Sequence, residues 1–290
     1  MSVARDRSQL VFQKLDRALV NLASDQQPES VHGFRTTTRR LETLLEDILP
    51  KRDRKQKKLL KMLGRIRKRA GKVRDLDVQL AALRSLKIPQ EPRRKTQLMH
   101  SLIELRVEHE KKLRKILNKQ DIRHLRKRLR RSSEEVKSQE NLDPLAVARK
   151  MVAKVEGSPL PVTDAVLHQY RGVVKRARYA VEFATKSAES TEFISQLKRL
   201  QDAIGGWHDW LTLTHSAAER LADVGHSSLL AALQNVTRAK FRQAVATLSA
   251  STAIQARAKS AAPSIAAVTE PSRKMGARIP QAGERTDSAA

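Results

Sequence analysis

Two histidines and the cations that follow them hold most of the chemistry this chain offers. His32, Arg35, Arg39 and Arg40 lie in V-H-G-F-R-T-T-T-R-R (31–40), and His168, Arg171, Lys175 and Arg176 lie in L-H-Q-Y-R-G-V-V-K-R (167–176). The second segment starts 136 residues after the first, with the histidine, the arginine and the basic pair in register. On a helix, His32, Arg35 and Arg39 fall on one stripe, and so do His168, Arg171, Lys175 and Arg178. Imidazole donates one hydrogen bond when neutral and two when protonated, guanidinium presents a planar fork, and ammonium is a mobile point charge. Together they suit anionic oxygens. They lack the company of a catalyst: no H-E-x-x-H, no G-x-S-x-G and no glycine-rich phosphate loop ending in Lys-Ser/Thr occurs. With no cysteine, thiolate catalysis and Cys-ligated metals are excluded. Metal ligation by His32 and His168 together is a weaker alternative, because no matched carboxylates stand beside them. The expectation is a chain with no catalytic residues, no metal and no cofactor.

The elements that must carry these stripes are amphipathic helices. Opposite the first stripe lie Phe34, Leu41, Leu44, Leu45 and Ile48; opposite the second lie Val166, Tyr170, Val173, Val174, Ala177, Ala180 and Val181. A second pair of segments, 63–75 (L-G-R-I-R-K-R-A-G-K-V-R-D) and 197–209 (L-K-R-L-Q-D-A-I-G-G-W-H-D), aligns at a shift of 134. Order and spacing are both kept, which reads as a duplicated unit of roughly 120 to 140 residues. In the first of these segments Leu59, Leu63, Ile66, Ala70, Val73 and Leu80 form a core stripe and leave Lys61, Arg65, Lys68 and Lys72 outward. The counterpart offers only Lys198 and Arg199. Cations at i, i+3 and i+7 repel one another unless an anion relieves them, so these stripes point to anion binding more than to a solvated face. Asp75 and Asp209 share a repeat position and are expected to orient an Arg or His of the facing helix. Arg74 and His208 precede them at the edge of the apolar stripe, equally suited to packing and to binding. The run Arg123–Arg131 is basic almost all round and is treated as auxiliary.

The helices expected are about 3–22, 30–49, 53–86, 93–118, 124–137, 143–155, 163–187, 191–224 and 227–248, with breaks at Pro50, at Pro89 and Pro92, and at Gly157–Pro161. No segment alternates polar and apolar residues with β-branched support, so the chain reads as all-α. Residues 1–250 would form the helical domain, its halves about 3–120 and 121–250, and the Ala/Ser/Pro-rich 251–290 would be a disordered tail. Lys and Arg number 58 against 31 Asp and Glu, a net +27, which implies a polyanionic partner (nucleic acid, polyphosphate or an anionic membrane) or a strongly steered acidic ligand. The first residues carry charges throughout, with no apolar signal core, and no apolar run approaches a membrane span, so a cytoplasmic protein without a membrane partner is expected. Only nine residues are aromatic and most fall on core faces, which weighs against single-stranded nucleic acid.

The motifs H-x-x-R-x-x-x-R-R (32–40), H-x-x-R-x-x-x-K-R-x-R-Y (168–179), the L-G-x-x-R-K-x-x-G-x-V-R-D-L-D-V stretch (63–78) and L-x-x-L-Q-D-x-I-G-x-W-H-D (197–209) resemble the CHAD domain, the conserved histidine α-helical domain, over roughly residues 5–248. The resemblance implies two four-helix bundles of long antiparallel helices related by a pseudo-twofold axis, binding inorganic polyphosphate in association with polyphosphate granules. Carried onto this chain, the ligand residues would be His32, Arg35, Arg39, Arg40, His168, Arg171, Lys175, Arg176 and Arg178, helped by Arg65, Lys68, Lys72 and Lys198. Two departures suggest unequal halves: Thr43 stands opposite Tyr179, and Gly206 stands where Lys72 does. Many relatives also carry a triphosphate-tunnel metalloenzyme domain marked by E-x-E-x-K; neither that motif nor spare length for the domain is expected here, so that enzymatic partner would be absent. The expected function is non-enzymatic polyphosphate binding. The alternatives are a nucleic-acid-binding module and an accessory subunit of a phosphate-metabolising metalloenzyme.

Overall fold

A computed structural model describes residues 3–49, 53–88, 90–137, 142–155, 162–221 and 227–261. Among these there is no strand, and the order is α1 (Val3–Ser24), α2 (Pro28–Thr43), a π-helical turn (Leu44–Ile48), α3 (Arg54–Ser85), α4 (Pro92–Lys115), α5 (Lys119–Lys137), α6 (Pro144–Ala153), α7 (Asp164–Val181), α8 (Ala188–Arg220) and α9 (Ser228–Ala261). The helix starts have local causes. Asp53 accepts from the Gln56 amide at 2.6 Å while the Gln56 side chain returns to the Asp53 amide, a capping box that opens α3. Ser187 and Ser190 make the same reciprocal pair before α8. The preceding helix ends at Val181, six residues short of the 187 that periodicity predicted. Pro28 and Pro92 occupy first-turn positions that need no amide donor.

The predicted core stripes of α2 and α3 are buried throughout, and in α7 only Val173 stays partly exposed. The interior is shared across the chain. One apolar cluster joins α1, α2, α3 and α5 to α6, α7, α8 and the middle of α9; a second joins Leu76–Leu102 to Leu213–Leu233 at the far ends of α3 and α8. Between the halves, α2 packs against α7 and α3 against α8.

Two expectations change. The basic helix α5 packs on α1 and α3, so it belongs with the first half. It is not basic all round: Ile122, Leu125, Leu129, Ser132 and Val136 form a narrow buried edge that the surrounding arginines masked in the sequence. In addition, helix α9 continues through residues 251–261, where alanines with Gln, Arg and Lys favour helix without needing an apolar face. Contacts divide the chain into Met1–Ala253 and Ile254–Ala290, and of the second unit only the helical residues to Ala261 are described. The remaining tail, Pro50, Pro89, the end of the predicted 191–224 helix and the Gly157–Pro161 break lie outside the described residues. No helix among the described residues is long and apolar enough to cross a membrane.

Cross-half ion pairs repeat the 136-residue shift. Arg40 of α2 donates to Glu182 at the end of α7 (2.5 Å), and Arg176 of α7 pairs with Glu46 (3.1 Å) and Asp47 (2.5 Å) of the π turn. Arg40 and Arg176 are equivalent in the repeat, and so are Glu46 and Glu182. One contact is therefore made twice, each half supplying the arginine once. The π turn, closed by Leu49 N–H to the Leu44 carbonyl at 3.0 Å, is what swings Glu46 and Asp47 into reach.

Away from this seam, Arg106 of α4 fastens α3. Its Nε donates to buried Asp77 at 2.7 Å, Nη1 to Glu110 at 2.5 Å and Nη2 to the Gln26 carbonyl at 3.0 Å. Replacing Arg106 by Leu strands the Asp77 carboxylate, and a loss of about 3 kcal/mol is expected in chemical denaturation. The double variant Asp77→Leu/Arg106→Leu should recover most of that loss, since the buried charge is then gone as well.

A candidate anion site between the two basic helices

The stripes of α2 and α7 meet where α3 and α8 pass beneath them. Arg35 lies over Gly71 of α3, with Nη2 3.9 Å from Asp75. A Cβ at position 71 would overlap Arg35 Nη1, so only glycine lets the guanidinium lie against this helix. Arg171 and Lys175 occupy the corresponding place on α7, close enough to Asp209 for its charge to act on both. Arg39 adds its charge to Arg35, Arg171 and Lys175, and Arg74 adds its charge to His32 and Asp209. The result is five cations, Arg35, Arg39, Arg74, Arg171 and Lys175, against three carboxylates: Asp75, Asp209 and Glu42, which accepts from Arg39 at 3.3 Å and from Arg67 at 2.8 Å.

The electrostatics follow from that imbalance in a partly desolvated setting. Burial, with Arg171 adding repulsion, pushes the Lys175 ammonium down to about 8 despite Asp209. Burial also lowers Arg35 and Arg171, their aspartates pulling the other way and neighbouring arginines adding to the effect. The Asp209 carboxyl is raised by burial, against the pull of Arg171, Lys175 and Arg74. His208 is driven to about 3 by burial and then by Arg171, His168 and Lys175, so it is neutral at physiological pH. Two polar atoms here are buried without a partner, Arg171 Nε and His208 Nδ1. Buried donors without acceptors are costly, and an anionic oxygen would satisfy them.

The histidines of the motifs are exposed at the rim. His32 is held below its usual value by burial and by Arg74, Arg35, Arg40 and Lys175. His168 donates from Nδ1 to the Asp164 carbonyl at 2.9 Å, which leaves Nε2 as the free nitrogen. Its ring stands edge-on to Trp207 (4.9 Å between centroids) and His208 (5.1 Å). Buried Trp207 thus sets the place of both imidazoles.

Of the predicted site residues, His32, Arg35, Arg39, His168, Arg171 and Lys175 converge here. Three others are already engaged. Arg40 and Arg178 both pair with Glu182 and flank the ring of Tyr179 at 5.5 and 4.7 Å; Arg178 also donates to Gln201 at 2.8 Å. Arg176 is bound to Glu46 and Asp47. Arg40 and Arg176 serve the seam, and Arg178 braces Glu182 within it. They were misplaced because H-x-x-R-x-x-x-[RK]-R shows a basic pair but not the carboxylates that face it from the other half. Arg65 and Lys72 turn about 100° or more around α3 from the Gly71 face, Lys68 lines the same groove beside them, and Lys198 lies about 16 Å along α8 from Asp209. Conversely, Gly71, Arg74, Asp75, His208 and Asp209 belong to the centre, and their shared repeat position was the signal for four of them.

The E-x-E-x-K pattern needs a correction. Glu108-His109-Glu110-Lys111-Lys112 does spell it, within α4. Residues two apart on a helix point about 200° apart, so Glu108 and Glu110 cannot converge on one metal. Glu110 is paired with Arg106 and Arg114, and Glu108 with Lys112. No group of three potential ligands suited to a metal occurs among the described residues.

Two outcomes are expected. Lys175→Met removes a charge that folding must desolvate, so the free protein should gain on the order of 1 to 2 kcal/mol at neutral pH by denaturation. The native ammonium titrates lower than the unfolded one, so wild-type stability rises as pH increases from about 8 towards 10.5, a rise the variant lacks. Gly71→Ala should fold with equal or greater stability, since alanine favours helix by about 1 kcal/mol and Arg35 can swing aside. Anion binding should weaken, whereas Gly205→Ala, where the added methyl meets nothing, should leave it intact.

A family model described as CHAD domain matches residues 9–218. Among solved structures the fold is similar to the CHAD domain from the plant Ricinus communis, at 19% identity over 85% of this chain and 86% of that one, with a TM-score of 0.62. It is likewise similar to PptA from Streptomyces chartreusis, at 15% identity over 88% of this chain and 98% of that one, also with a TM-score of 0.62. No curated protein matches the chain. The matched residues make up well over half of the sequence and include every residue of the central cluster, and on that ground the chain belongs to the CHAD domain family.

Proposed function

We propose that this protein binds inorganic polyphosphate without transforming it, holding successive phosphates between α2 and α7 and thereby associating with polyphosphate granules. The observation that carries the reading is the set of half-buried cations Arg35, Arg74, Arg171 and Lys175, in excess of Asp75 and Asp209, around Arg171 Nε and His208 Nδ1, two buried polar atoms without partners. A fold that desolvates like charges together loses stability unless a ligand returns it. Arg35, Arg39 and Arg171 would grip non-bridging oxygens, and Lys175 would supply a mobile charge. The histidines add donors at the rim, their protonation favoured once a polyanion lies beside them.

Nucleic acid fits less well. Phe12, Phe34, Tyr170, Tyr179, Phe183 and Trp207 are buried, and the other three aromatics are partly so, leaving no stacking platform on the basic face. Excess long-chain polyphosphate should displace bound DNA or RNA at moderate salt; failure to do so would favour the nucleic-acid reading. Incubation with polyphosphate and Mg²⁺ or Mn²⁺ should leave chain length unchanged.

Affinity should fall linearly with the logarithm of salt concentration as counterions are released. Neutralising Arg35, Arg39, Arg171 or Lys175 should each reduce that slope by about one and weaken binding about tenfold. Neutralising Arg176 or Arg178 should instead lower stability with little change in slope. Equal effects of both sets in filter-binding titrations would mean that binding is diffuse and the site misassigned.

A further inference from the structure

The outward cations of α3 form a place of their own. Arg65, Lys68, Arg69 and Lys72 line, with Ile116 at the end of α4, a groove of about 430 Å³ on the flank of α3 turned away from Gly71. Among the described residues none of the four lies within ion-pairing distance of a carboxylate, whereas Arg67 of α3 and Arg94, Arg106 and Arg114 of α4 each have one. A solvated helix face normally mixes signs, and this one does not.

A second observation comes from α4. His109 is close enough to Arg69 and Lys72 for both charges to act on it, and its Nδ1 is buried without a hydrogen-bond partner. Burial, then Lys112, Lys72 and Arg69, keep the ring below its usual value against the pull of Glu108. An imidazole nitrogen without a partner beside Arg69 and Lys72, which line the groove with Arg65 and Lys68, completes a donor set for an anion with several oxygens. Ile116 closes one end and limits solvent screening there.

We infer that the α3–α4 groove is a second oligophosphate subsite, separated from the central cluster by the thickness of α3 and holding its ligand through Arg65, Lys68, Arg69, Lys72 and His109. This rests on the reading of the centre as a polyphosphate site. Its consequence is bivalency: a long polymer engages both faces of α3, and the second engagement is intramolecular, whereas a short one fills either place alone.

Calorimetric titration with tripolyphosphate, on the full chain, separates the two. The wild type should take up two equivalents. The groove variant Lys68→Gln/Arg69→Gln/Lys72→Gln, altered only at exposed positions, should take up one. The central variant Arg35→Gln/Arg171→Gln/Lys175→Met should also keep one, and the His109 ring resonances should still move on addition. For long-chain polyphosphate the groove variant should lose about tenfold or more in affinity. Two equivalents in the groove variant, or a single wild-type equivalent abolished by the central variant, would overturn the subsite and leave the central site standing. No uptake of tripolyphosphate or long chain by the wild type would remove the polyphosphate reading and the subsite with it.

Discussion

Repulsion among Arg35, Arg39, Arg171 and Lys175 is the constraint around which the rest of the molecule is arranged. Brought together with Arg35, Arg171 and Lys175 half-buried, they push one another apart, and burial followed by that repulsion depresses the titration of Lys175. Helices free to tilt would relax that repulsion by separating α2 from α7. They are prevented by what lies behind: a continuous apolar interior shared by both halves, and the seam of Arg40–Glu182 and Arg176–Glu46/Asp47 on either side. The seam arginines are paired at 2.5 to 3.1 Å, whereas central Arg35 stands 3.9 Å from Asp75. Asp75 and Asp209 moderate the charge without cancelling it.

The halves do this unequally. Glu42 of α2 meets Arg67 of α3 at 2.8 Å; at the repeat-equivalent positions Arg178 of α7 meets Gln201 of α8 at 2.8 Å. The same contact has the opposite polarity. Trp207 and His208 fill on one side what Val73 and Arg74 fill on the other, so His168 has aromatic neighbours that His32 lacks. The site therefore has two distinguishable ends, one lined by guanidinium and one by imidazole.

Much of this was legible in the sequence because it is local and periodic. Spacing of Phe34, Leu41, Leu44, Leu45 and Ile48 places a helix and its buried face, and the stripe His32–Arg35–Arg39 opposite follows from the same geometry. What spacing does not contain is the partner across the seam. Arg39 and Arg40 are adjacent in sequence, yet Arg39 stays exposed beside Glu42, within reach of the central charges, and Arg40 is consumed by Glu182, 142 residues away. The cationic stripe of α3 was legible as a stripe but not as facing another way, since its direction depends on where α4 packs. Helix α5 failed for a third reason: five apolar or small residues among many arginines are too thin an edge to read without α1 against it.

A contact in which each half contributes the arginine once and the acid once is the arrangement by which two copies of one subunit recognise each other. Here the two halves are covalently joined, so the local concentration of each for the other is fixed by the chain rather than by expression level. Such tethering lets the two halves differ, as Glu42 and Arg178 do at corresponding positions, without losing their fit. A symmetric dimer must change both sides of its interface at once; this chain changes one at a time.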